Sequence, residues 1–267
     1  MKKLGVINKN KKVEFLKDLT PDEEPIIANH VKTLIEFDRQ TEKFKTFKNA
    51  VEDFRKHIKK NRHDTNYNRL ILELTSTFRA FLDHWETEIK RRFGKKSQEF
   101  ELFKEATANE FDNYFSYRFF SGFRNYIQHV RIPFLQINSS INDKNEIEIK
   151  ISVNKKELLE SFNDWKPVLI EDFKGQSDSI NIIPLIDELY ESVKRINLVA
   201  INLLDIQALL NSSLFLLGLI NLQKEIKGDL ILVEHEFTPG SPIKLSFLPT
   251  STAEFIVRNV KIKNNSP

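Results

Sequence analysis

The sequence predicts a mainly α-helical fold: a bundle of long helices with a β-hairpin inserted in it and a small antiparallel sheet near the C-terminal end. Two observations carry this. Apolar residues recur at helical spacing through most of residues 20–227. The period falls to two only at residues 134–153 and again beyond Gly228. These give a helical body over 20–227, with the hairpin at 134–153, and a small β segment over 229–263 packed on it.

The elements follow in order. Met1 to Leu19 is rich in lysine and reads as irregular chain or a short strand. Thr20-Pro21-Asp22-Glu23 is a helix start, with Thr as cap, Pro at the first helical position and Glu closing the capping box. The stripe Ile27, Val31, Leu34, Phe37, Phe44, Phe47, Val51, Phe54 and Ile58 then marks one long helix to about Lys60. Asn61 to Asn66 is its turn. A second helix runs from Tyr67 to Phe93 and stops at Gly94. A third runs without a break from Ser97 to Val130, where Gly122 permits a bend or a close neighbour and Pro133 ends the run.

Residues 134–153 alternate around Asn142-Asp143-Lys144-Asn145, a hairpin. Asn154 caps a short helix to Phe162. Asp164 to Asp178 reads as loop. A long helix from Ile182 to Lys227 carries a break near Asn211-Ser212-Ser213, and Gly228 stops it. Three strands close the chain, at 230–237, 243–247 and 254–263, with a turn at Thr238-Pro239-Gly240-Ser241-Pro242.

The totals narrow the function classes. Charged residues are 30% of the 267, with a net charge of +3, so the chain does not coat nucleic acid by charge alone. Cysteine is absent, which removes disulfides, thiolate nucleophiles and Cys-based zinc sites. Phosphate loops, dinucleotide fingerprints and nucleophile elbows are missing, as are carboxylate clusters at metal spacing. No cofactor or metal is expected, and hydrolysis here should need no metal. The N-terminal segment lacks an apolar run, and the apolar stretch Ile196–Gln223 carries Asp205 together with Asn197, Asn202, Gln207, Asn211, Ser212 and Asn221, so it reads as a buried helix rather than a membrane span. A cytoplasmic protein is the expectation.

One stretch carries chemistry: Arg124-Asn125-Tyr126-Ile127-Gln128-His129. On a helix Asn125 and His129 share a face, so Asn125 can fix the imidazole tautomer. Arg124 points roughly 140° away from His129, yet its long stem brings the guanidinium toward a ligand held near the ring. A guanidinium beside an imidazole suits a phosphodiester, one neutralising charge and the other moving a proton. The competing reading is a helix-end Arg and His that cap carbonyls or bond across the bundle. Arg79 and His84 repeat the spacing on the second helix, with Ala80 in place of the polar residue. Asp83 and His84 can face the third helix and lend a carboxylate or an imidazole to the site there, or Arg79 simply pairs Asp83 on an exposed face. Tyr117 and Arg118 are candidates for stacking a base and adding charge to a substrate site, against a core tyrosine and a surface arginine.

An arginine, a polar residue, three more residues and a histidine resembles the signature of the HEPN family. The resemblance implies a helical bundle, a homodimer that brings two such motifs together, and metal-independent RNA cleavage leaving 2′,3′-cyclic phosphate ends. It also implies a toxin or host-defence role, held in check by a trigger or a regulatory protein partner. In this sequence the motif residues are Arg124, Asn125 and His129, with Tyr117, Arg118, Arg79 and His84 as substrate-binding candidates. The alternative is a non-catalytic helical module that binds a protein or nucleotide.

Overall fold

A computed structural model describes residues 2–60, 66–141, 143, 145, 147–221, 228–234 and 244–264. Among the described residues the fold is mainly α-helical, with nine helices and two small antiparallel sheets. The chain divides into two compact units, Gln40–Leu204 and the pairing of Met1–Arg39 with Asp205–Pro267. This differs from a helical body at 20–227 followed by a β tail. The division passes inside the first helix, because both chain ends contribute strands to one sheet.

The first helix, α1 (Glu23–Lys59), starts as the sequence predicts. Thr20 and Glu23 exchange the two bonds of a capping box, at 3.3 and 3.1 Å. Helix α2 (Asn66–Phe93) ends at Gly94, whose φ of +96° suits glycine. The turn read at 61–66 lies, up to residue 65, outside the described residues.

The third predicted helix is two: α3 (Gln98–Asn113), capped by Ser97, and α4 (Phe115–His129). Tyr114 between them is extended, at φ −122° and ψ 117°. The free groups at this break find distant partners. Arg118 Nη1 donates to the Phe111 and Asp112 carbonyls (2.7 and 2.8 Å), and the Ser116 N–H donates to the Glu188 carboxylate (3.3 Å).

Strands β3 (Leu135–Ile141) and β4 (Ile147–Asn154) form the predicted hairpin. A short β5 (Ser179–Asn181) adds to β4, giving the order β3-β4-β5. Helix α5 (Lys155–Ser161) is capped by Asn154 as expected. The segment read as loop holds α6 (Pro167–Lys174), with Pro at the first helical position. Helix α7 (Ile182–Asn202) completes this unit. Its core is aromatic: Phe78, Phe81 and Trp85 of α2, Phe119, Phe120, Phe123 and Tyr126 of α4, and Phe173 of α6 are all essentially inaccessible.

In the other unit, β1 (Lys2–Asn8) and β2 (Val13–Asp18) form a hairpin where irregular chain or one strand was expected. With β6 (Gly228–Glu234) and β7 (Lys244–Phe247) they make a sheet of order β2-β1-β6-β7. Residues 222–227, the strand ends at 235–237 and 243, and the turn at 238–242 lie outside the described residues. Helices α8 (Ile206–Ile220) and α9 (Thr250–Asn264) pack together in the same unit. The third predicted tail strand, 254–263, is therefore helix. The break in the long helix falls at 203–205, not at Asn211–Ser213, because Asp205 caps α8 by accepting from the Ala208 N–H. Among the described residues no single helix is long and apolar enough to cross a membrane.

Candidate functional site

Helix α4 places the motif. Its apolar residues recur at helical spacing, and Phe119, Phe123 and Tyr126 stack in succession (5.0 and 6.2 Å between ring centroids). Tyr126 continues the stack onto Trp165 at 5.9 Å, and the Trp165 indole donates to the Leu158 carbonyl at 3.0 Å. With that face buried, the polar residues between are turned outward. Arg124 is half-buried, and Asn125 and His129 are exposed. His129, in the last turn, makes no hydrogen bond or ion pair among the described residues. Arg124 pairs with no carboxylate there either, and its Nε is shielded from solvent without a partner.

Asn125 does a different job from the one its spacing suggests. Its Oδ1 accepts from Arg124 Nη1 at 3.1 Å, so it orients the guanidinium rather than the imidazole.

Beside Arg124 and Asn125 lies a cavity of about 530 Å³. Phe78, Arg79, Leu82 and Glu86 of α2 form one wall, and Phe103, Lys104, Thr107, Ala108, Phe111 and Asp112 of α3 another. Helix α4 supplies Tyr117, Arg118, Ser121, Gly122, Arg124 and Asn125; Asp164, Lys166 and Leu169 close the third side. The volume falls in the range of small-ligand sites, about 300–1,000 Å³.

The structure sorts the other sequence candidates. Arg79 lines the cavity but is paired with Asp83 at 2.7 Å. Arg118 lines it as a brace: besides the two α3 carbonyls it grips Asp172 of α6 through Nε and Nη2 (2.6 and 3.0 Å), with its side chain 10% exposed. Tyr117 is buried, edge-on to Phe78 at 5.3 Å, so no face is left for a base to stack on. Burial first, then the Glu110 carboxylate, push its phenol well above the usual tyrosine range.

His84 does not line the cavity. It bonds to the Gln40 backbone on α1, and burial pulls its pKa below the usual histidine value against the opposing pull of Glu88. Arg79 and His84 start roughly 140° apart on the helix, and the bond to Gln40 holds the His84 ring on the α1 side, away from the cavity that Arg79 lines.

Lys104 and Lys166 are the cavity cations that the sequence did not single out. Lys166 was hidden in a segment read as loop; the Lys166-Pro167 helix start was the available signal. No group of three or more His, Asp or Glu among the described residues is arranged to hold a metal ion.

No protein-family model, curated protein or solved structure matches the chain.

Proposed function

We propose that this chain is a HEPN-like endoribonuclease that cleaves RNA without a metal and works as a homodimer. The observation that carries the reading is the pair on α4: an exposed imidazole with no partner and, five residues before it, a guanidinium with no carboxylate. Neither is committed to a carboxylate among the described residues, so both are available to a phosphodiester. The neutral His129 ring takes the proton from a ribose 2′-hydroxyl. As the O2′–P bond forms, the P–O5′ bond breaks, and O5′ takes a proton from the His129 imidazolium of a second copy. Arg124, steadied by Asn125, donates to the non-bridging oxygens as charge builds there. The products are a 2′,3′-cyclic phosphate and a free 5′-hydroxyl. DNA, lacking the internal nucleophile, is left intact.

On this reading the protein is a toxin or host-defence effector acting in the cytoplasm, with RNA as substrate and a regulatory protein as further partner.

The test is cleavage of RNA by the purified protein in EDTA, with the ends analysed and the mass measured by sedimentation. His129→Ala is expected to lower the rate by about 10²–10⁴-fold, the usual share of one acid–base group. Cleavage by this variant at the wild-type rate would remove His129 from the chemistry.

A second reading is favoured by one observation. The hairpin and the residue before it expose Phe134 (74%), Ile141 (71%) and Ile147 (55%), which suits a non-catalytic module that binds a partner protein. Under it, wild type and His129→Ala leave RNA equally intact.

A further inference from the structure

We infer that the cavity beside Arg124 is a nucleotide subsite, taking one nucleotide of the RNA with its phosphate on Arg124 and Lys166 and its base against Phe111 of α3. The inference rests on the ribonuclease reading and adds to it what the site recognises.

Charge accounting points to an anion. Among the described residues five cations line the cavity, and three are committed: Arg79 to Asp83, Arg118 to Asp172, and Lys104 to Glu86 at 3.9 Å. Arg124 and Lys166 have no carboxylate partner among the described residues. Arg124 also holds a shielded Nε donor that nothing in the protein satisfies, a feature that calls for an acceptor. Lys166 leans over the Phe111 ring, Nζ 4.3 Å from its centroid, so one free cation sits directly on the aromatic wall.

A bare phosphate does not account for the rest of the lining. Phe111 is only half-buried and gives an apolar surface for a flat ring, while Phe78 and Phe103 back the cavity from the core. Asp112 and Asp164 also line the cavity, and neither side chain has an ion pair among the described residues. Carboxylates repel a phosphate but accept hydrogen bonds from the exocyclic amino group of a base. Two free cations, two free carboxylates and the Phe111 ring in one cavity are the groups that a nucleotide's phosphate and base call for. They favour a base that carries an exocyclic amine over uracil.

Calorimetric titration with GMP, CMP, AMP and UMP tests this on the whole chain. Wild type is expected to bind the amine-bearing nucleotides at least tenfold more tightly than UMP, and more tightly than inorganic phosphate. Lys166→Glu, and Ala108→Trp, which fills the cavity from an exposed position on α3, are each expected to weaken binding at least tenfold. Lys156→Glu on α5, outside the cavity, is the control for overall charge and should bind as wild type does. His129→Ala should still bind nucleotide, which keeps this test apart from the cleavage test. Nucleotide binding unchanged in both Lys166→Glu and Ala108→Trp overturns the inference while leaving the cleavage reading intact. So does inorganic phosphate binding as tightly as any nucleotide.

Discussion

His84 and His129 carry the same side chain into opposite surroundings. His129 ends an amphipathic helix and stands in solvent. His84 is held between α2 and α1, near Glu88, Lys43 and Arg91, with Nε2 shielded and unpartnered. Burial keeps the folded ring neutral to lower pH than the unfolded one, which titrates near the ordinary value of about 6.5. The stability tied to this group is therefore whole above that value and is lost as pH falls through it toward the folded value. Relative to His84→Gln, the wild type should lose resistance to urea between about pH 8 and pH 5. A gap between the two that stays constant with pH would count against the assignment. Arg118 and Tyr117 teach a related point. Each has the chemistry for a substrate site, but Arg118 is used up bracing α3 and α6, and Tyr117 is packed into the core. Residue type suggested a role, and the partners decided whether the residue was free to play it.

Elements were most legible where their signals are local. Thr20 with Glu23, Ser97, Gly94 and Asn154 each mark a helix end within a turn of sequence, and each does so in the structure. The break between α3 and α4 was not legible, because its free groups are satisfied by Glu188, 72 residues on, and by Arg118. Helix α9 departs from its local strand preference for another reason. Ile256, Val257 and Val260 are β-branched and favour strands, but packing of Ala253 and Ile256 in a helical core outweighs that preference. Gly122 lies mid-helix because of what faces it: a Cβ there would meet Leu169 Cδ2 and Trp165 Cζ3 at 2.8 Å. Both neighbours are buried, and Trp165 is tethered to the Leu158 carbonyl. Gly122→Ala gains about 1 kcal/mol in helix propensity. It loses about 1–3 kcal/mol to overpacking. The expected net result is a lower melting temperature, and a higher one would show that Trp165 gives way.

At the scale of the whole chain, the four-stranded sheet is the feature that pattern reading most underestimated. Strand β1 sits between β2 and β6, so the lysine-rich start of the chain is an interior strand of a sheet whose other half comes more than 220 residues later. Leu4 and Val6 of β1 are fully buried, as are Leu230 and Ile231 of β6. Removing residues 1–19 would leave β6 with an open edge and an uncovered apolar face, an invitation to aggregate. The truncated chain is expected to bind a hydrophobic dye and lose solubility; a soluble product with an unchanged melting curve would contradict this. The site lies in the other unit, assembled from α2, α3, α4 and the entry to α6.

The sequence by itself determined the helical class, the long α1 and α2, the inserted hairpin, and the placing of Arg124, Asn125 and His129 on one helix. Each of these depends on periodicity or on capping within a few residues, and such forces act along the chain. Tertiary structure alone decided that Asn125 serves Arg124, that Arg118 and His84 are spoken for, and that Lys166 joins the cavity wall. Those outcomes depend on which groups from distant segments arrive within hydrogen-bonding reach, a distance that no spacing along the sequence encodes.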